Sequence, residues 1–76
     1  MTISPAQIRA GRHLAGLSQA DVAEATGLSV MTIKRAESDR EDMPVSAEAE
    51  AAIRAAIEQA GIEFTNGKRP GVRLRK

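Results

Sequence analysis

Cysteine is absent from the chain. That removes a disulfide framework and any thiolate metal site, and it suits a reducing compartment, so the cytoplasm is the expected location. Tryptophan and tyrosine are also absent, and Phe64 is the one aromatic residue. Proteins that hold single-stranded nucleic acid stack bases on aromatic rings, and this chain has almost none to offer. No apolar run approaches the ~20 residues of a membrane span, and the N-terminus lacks a basic stretch leading into an apolar one, so neither membrane nor signal peptide is expected. His13 is the only histidine. Without cysteines or carboxylates at ligand spacing beside it, no metal site, no cofactor and no catalytic centre are expected. Glu48 and Glu50 fall on different faces of a helix and make no paired acid and base. Gly61 with Gly67-Lys68 is spaced one residue too far for a P-loop and has Arg69 where Ser or Thr belongs.

What remains is a chain of 76 residues rich in aliphatic and charged side chains, enough for one domain with a thin core of Ile, Leu, Val, Met and Ala. A second subunit would help such a core. The formal net charge is only +1, but its distribution is uneven. Asp42, Glu48, Glu50, Glu58 and Glu63 make the second half acidic, whereas Lys68, Arg69, Arg73, Arg75 and Lys76 follow Phe64 with no acid among them. An acidic body with a basic tail points towards a polyanionic partner.

The organising stretch is Leu17 to Glu37. Ser18 is a good N-cap, Asp21 three residues on completes a capping box, and Leu17 with Val22 makes a hydrophobic staple. Gly27 stops the helix, because the C′ residue takes a positive φ that glycine reaches freely. The pattern then repeats with Ser29 as cap and Leu28 with Ile33 as staple. Two short helices joined through a tight glycine turn form a helix-turn-helix. Upstream, Ser4 caps a first helix with Pro5 at N1, Gln7 closing its box and Ile3 stapled to Ile8; Ile8, Gly11 or Ala15, and Leu14 make its apolar face, and Gly16 ends it. After the polar loop Ser38–Asp42 and Pro44, Ser46 caps an Ala-rich helix reaching about Ala60. Ala49, Ile53, Ala56, Ile57 and Ala60 share one face, Glu50 and Arg54 stand at i,i+4, and Gly61 with Ile62 closes it in a Schellman turn. Ile62–Thr65 and Val72–Arg75 alternate in polarity about Asn66-Gly67 and Pro70-Gly71, which reads as a hairpin with a loop of about six residues.

Ile8, Arg9 and Arg12, Gly16-Leu17-Ser18-Gln19, Val22-Ala23, Gly27-Leu28-Ser29, Thr32-Ile33 and Glu37 together resemble the phage-repressor-type (XRE-like) helix-turn-helix family. The resemblance covers the first half of the chain and stops before Ser46. The chain departs from the family in having Ala36 where Trp is frequent and Asp39 where Gly is frequent, which bears on packing and on the loop rather than on the motif. The resemblance implies that Gln19 anchors a DNA phosphate at the start of the second helix. It also implies a structural ion pair between Arg12 and Glu37. Arg9 reads as a surface charge.

A recognition helix must present side chains that reach base edges in the major groove. Ile33 points inward with Leu28, which leaves Val30, Met31, Thr32, Lys34 and Arg35 as candidate base contacts. Arg35 has the geometry for guanine, Lys34 for guanine or phosphate, and Val30 and Met31 for thymine methyl groups. Ser29 and Thr32 divide between capping and phosphate contact, and Arg40 in the following loop is a further phosphate candidate.

The expected fold is mostly α: a repressor-like helix-turn-helix bundle of about four helices with a short C-terminal β-hairpin. Residues 1–61 would form the helical domain, and residues 62–76 a hairpin and basic tail for dimerisation or an accessory role. The expected function is sequence-specific binding of double-stranded DNA as a transcriptional regulator, by a homodimer with no small-molecule ligand. A helical protein-interaction module, antitoxin-like or an adaptor without DNA binding, is the alternative; an enzyme is not expected. The dimer would form through the Ile53/Ile57 helix face or through the hairpin.

Overall fold

Serine caps set the start of every helix. In a computed structural model that describes residues 3–38, 45–66 and 70–75, the element order is α1 (Pro5–Leu14), α2 (Gln19–Thr26), α3 (Val30–Ala36), α4 (Ala47–Gln59), β1 (Ile62–Asn66) and β2 (Pro70–Leu74). The side chains of Ser4, Ser18, Ser29 and Ser46 each accept from the backbone N–H three residues on. Both reciprocal capping boxes are made, Ser4 with Gln7 and Ser18 with Asp21. Each cap satisfies one of the donors that a helix start leaves without a partner. The helix ends are equally local. Gly16 and Gly27 both take φ of 75°. At Gly16 the amides of Gly16 and Leu17 return to the carbonyls of His13 and Arg12, the two bonds of a Schellman motif.

α4 runs from the core to the hairpin through Gly61, whose amide bonds to the Glu58 carbonyl. β1 and β2 pair antiparallel with Ile62 opposite Leu74, Phe64 opposite Val72 and Asn66 opposite Pro70. The strands therefore continue closer to the turn than their alternating polarity indicates. Only residues 67–69 lie between them, not six, and those residues fall outside the described set, as do 39–44 of the polar loop. Thr65 and Gly71 pair although neither contributes to the apolar pattern, because pairing is a backbone property that continues wherever register allows.

Ile3, Ile8, Val22, Ala23, Ile33, Ala36, Ile53, Ile57, Ile62 and Phe64 form one buried cluster. Isoleucine supplies most of its volume, and Phe64 of the hairpin lies in it. α1 makes room for that ring. A Cβ on Gly11 would stand 3.1 Å from Phe64 Cε1 and 3.2 Å from Ile57 Cγ2, so the helix backbone sits directly on the ring edge and on α4. Of the expected apolar faces, Ile8 and Gly11 are buried but Leu14 is 42% exposed. On α4, Ala49, Ile53 and Ile57 are buried, Ala56 is half-buried and Ala60 exposed, because the helix leaves the core where it turns into β1. The i,i+4 spacing that sets Glu50 against Arg54 sets Arg54 against Glu58 as well, and the latter pair is seen at 3.3 Å. Among the described residues no helix is long and apolar enough to cross a membrane.

Candidate nucleic-acid interface

α3 shows two unlike sides. Ile33 is fully buried, and Ala36 and Glu37 are 4% and 5% exposed, so one side is fixed in the core. Val30, Met31, Lys34 and Arg35 are exposed and fall on a contiguous arc of the other side, at i, i+1, i+4 and i+5. Met31 is the more open of the two apolar members, at 54% against 38% for Val30. Thr32 is half-buried between the sides. Its hydroxyl lies 2.9 Å from Ser29 Oγ, and its amide donates to the same oxygen at 3.1 Å. Ser29 itself is exposed at the start of the helix. Arg40 lies outside the described residues.

The end of α3 is clamped to α1 and α2. Arg12 grips the Glu37 carboxylate with two donors, Nε to Oε2 at 2.6 Å and Nη2 to Oε1 at 3.0 Å. Its Nη1 donates to the Leu17 carbonyl at 3.0 Å, and Nη2 also lies 3.3 Å from Nε2 of His13. A bidentate arginine–carboxylate pair fixes orientation as well as distance. Gln19 joins the same group, its Nε2 donating to Glu37 Oε1 at 3.3 Å. Arg9, which the sequence presents as a plain surface charge, donates from Nη1 to the Glu37 main-chain carbonyl at 3.2 Å, closing an open acceptor at the C-terminus of α3. Two arginines one turn apart on α1 therefore hold one residue at the end of α3. Among the described residues no buried side-chain polar atom lacks a partner.

A second anchor went unread in the sequence. Gln7 is 5% exposed. Besides its capping bond to Ser4, its Nε2 donates to the carbonyls of Thr65 at 2.9 Å and Gly71 at 3.1 Å, one on each strand. Glutamine at N3 announces the box and nothing more, since the second use of the amide depends on chain 58 and 64 residues away.

Among the described residues, Asp21 and Glu63 have lowered pKa values. Asp21 is held below the usual carboxylate range by hydrogen bonds from the Ser18 backbone and hydroxyl. Glu63 is held down by its hydrogen bond and charge interaction with Arg73 on the neighbouring strand. Among the described residues no group of three or more His, Cys, Asp or Glu side chains is arranged to hold a metal ion.

A family model described as a helix-turn-helix domain matches residues 6–59. The match spans the caps Ser18, Ser29 and Ser46, the glycine turn and the Arg12–Glu37 clamp, and the chain belongs to that helix-turn-helix family. No curated protein gives a significant match to it.

Proposed function

We propose that this protein is a phage-repressor-type (XRE-like) transcriptional regulator that binds a specific double-stranded DNA sequence. The observation that carries the reading is the division of α3. Its inner side and its C-terminus are locked to α1 and α2, while Val30, Met31, Lys34 and Arg35 stand free on a rigid arc. A helix held this way can enter a major groove without rearranging. Arg35 and Lys34 supply donors for guanine N7 and O6, Val30 and Met31 meet thymine methyl groups, and Thr32 borders the same edge. Gln19 at the first turn of α2 and Ser29 at the first turn of α3 face the flanking phosphates, with Arg40 a third candidate. The bond to Glu37 uses one hydrogen of the Gln19 amide and leaves the other for a phosphate oxygen. Regulation is by occupancy in the cytoplasm, without a cofactor or a catalytic step. Residues 62–76 serve as the accessory element of a homodimer whose two recognition helices read half-sites about one helical turn apart.

Selection from random duplexes tests this directly, and a palindromic site is the expected product. On that site Arg35→Ala should cost about 1–3 kcal/mol and relax preference at one base pair. Gln19→Ala should weaken all sequences alike. Unchanged affinity of both variants across a panel of duplexes would rule out this docking. The apolar half of the arc favours a second reading, a protein-interaction module of antitoxin or adaptor type, with Val30 and Met31 as its contact. That module would show no salt-dependent binding to duplex DNA of any sequence.

A further inference from the structure

The outer edge of β2 carries a row of open backbone groups whose direction follows from one bond. Arg75 donates its amide to the Gly61 carbonyl at 2.8 Å, continuing the ladder between the strands. Backbone groups alternate along a strand, so Arg73 and Gly71 also face β1, and Val72 and Leu74 turn their N–H and C=O groups away from it. Pro70 occupies the third outward position and has no N–H to give. No hydrogen bond closes the outward groups of Val72 or Leu74 among the described residues. The side chains beside this edge are apolar and under-covered. Leu74 is 53% exposed and Leu14 of α1 is 42% exposed. Gln7 reaches the Thr65–Gly71 level of the hairpin and Gly11 the Phe64 level. One more turn of α1 carries Leu14 to the level of Ile62 and Leu74, since seven helix residues and three strand residues both span roughly 10 Å.

We propose that the occupant of this edge is β2 of a second copy of the chain, paired antiparallel about a two-fold axis at Arg73. The inference deepens the homodimer of the proposed function and rests on it. Antiparallel strands can match only outward groups to outward groups. Pairing Val72 with Val72 would set Pro70 against Leu74 and leave Leu74 carbonyls without donors. Pairing Val72 with Leu74 of the second copy, and Leu74 with its Val72, uses all four amides and all four carbonyls of those residues and leaves both prolines, with their outward carbonyls, outside the ladder. That register also satisfies the side chains. On the inner face it makes unbroken apolar rows: Phe64, Val72, then Leu74 and Ile62 of the second copy. On the outer face the row is Glu63, Arg73, then Arg73 and Glu63 of the second copy, which sums to zero, each arginine held by its own glutamate. Beside Leu14 the α1 flank is Ala10, exposed and small, so that two α1 helices can lie side by side beneath the joined sheet. The dimer closes the β2 edge of each copy, which a lone hairpin would otherwise leave to chance pairing, and places the β1 strands at the two ends of a four-stranded sheet.

Single cysteines in the otherwise cysteine-free full chain test the register. At a non-hydrogen-bonded antiparallel pair the Cα atoms stand about 4.5 Å apart, within reach of a disulfide. Arg73→Cys should cross-link to a covalent dimer under mild oxidation, and Val72→Cys should not. Leu74→Pro, which removes an outward donor and no ladder bond to β1, should sediment as a folded monomer where the wild-type chain sediments as a dimer. Cross-linking at position 72 instead of 73, or a wild-type dimer that neither cross-links at 73 nor responds to Leu74→Pro, would overturn the interface while leaving a dimeric DNA reader standing. A wild-type chain that is monomeric both free and on its selected duplex would overturn the interface outright. Cross-linking at 73 in a chain that selects no duplex would uphold the interface and overturn the DNA reading.

Discussion

Glu37→Ala tests the physical core of this account. Glu37 and Arg12 are 5% and 8% exposed, and the carboxylate accepts from Arg12 Nε, Arg12 Nη2 and Gln19 Nε2. Truncation leaves the guanidinium inside with the Leu17 carbonyl and the His13 ring as its remaining partners. Removing one partner of a buried ion pair costs about 3–5 kcal/mol, since the other charge stays desolvated. A chain of this length is stable by roughly 4–11 kcal/mol in all, at ~0.05–0.15 kcal/mol per residue. The substitution therefore removes a large share of the stability. At about 4–8 °C per kcal/mol for a small domain, Tm should fall by at least roughly 12 °C. Far-UV circular dichroism at neutral pH reads the transition. The double variant Arg12→Met/Glu37→Leu should recover part of the loss, because it removes the stranded charge together with its partner. A Glu37→Ala melting curve superimposable on the wild type would refute the claim that the clamp fixes α3.

Three further perturbations probe other contacts. Gly11→Val should cost about 1–3 kcal/mol by overpacking, since its side chain would collide with Phe64 and Ile57, and denaturant titration measures it. Gln7→Leu should cost a similar ~1–3 kcal/mol by stripping two carbonyls of a donor, and amide exchange should show the loosening concentrated in β1 and β2 rather than in the helices. Stability should hold steady from neutral pH down to the ordinary carboxylate range and then fall as acid protonates Asp21 and Glu63. Both have lowered pKa values in the folded chain, so their contribution is present above the unfolded values and is lost as pH drops through the folded ones. Asp21→Asn with Glu63→Gln should flatten that acid limb in a Tm-against-pH series.

The helices were legible because what starts and stops them lies within three or four residues. Ser4, Ser18, Ser29 and Ser46 need only their own next turn, and Gly16 and Gly27 need only freedom at φ. Hairpin existence was legible from alternation, but its loop length was not. Glycine, proline and asparagine near a turn mark a change of direction and are equally able to pair as backbone, as Thr65–Gly71 and Asn66–Pro70 do. Of the interface, the exposed arc of α3 could be read by subtracting the staple residue Ile33 from a short helix.

What the amino-acid order determined by itself is the set of elements and the inward or outward side of each, because both follow from hydrogen bonds and periodicities inside one element. Only the tertiary structure decided which distant groups share a bond. It gave Arg9 the Glu37 carbonyl and tied the Gln19 amide to the Glu37 carboxylate. It set Gln7 across both strands and left no room for a side chain at Gly11 beneath Phe64. It also left Leu14 and Leu74 partly uncovered, although the spacing of each is that of a core residue. Those outcomes depend on how far and at what angle whole elements approach one another. That is fixed by the packing of the isoleucine core as a body, and no local stretch of sequence encodes it.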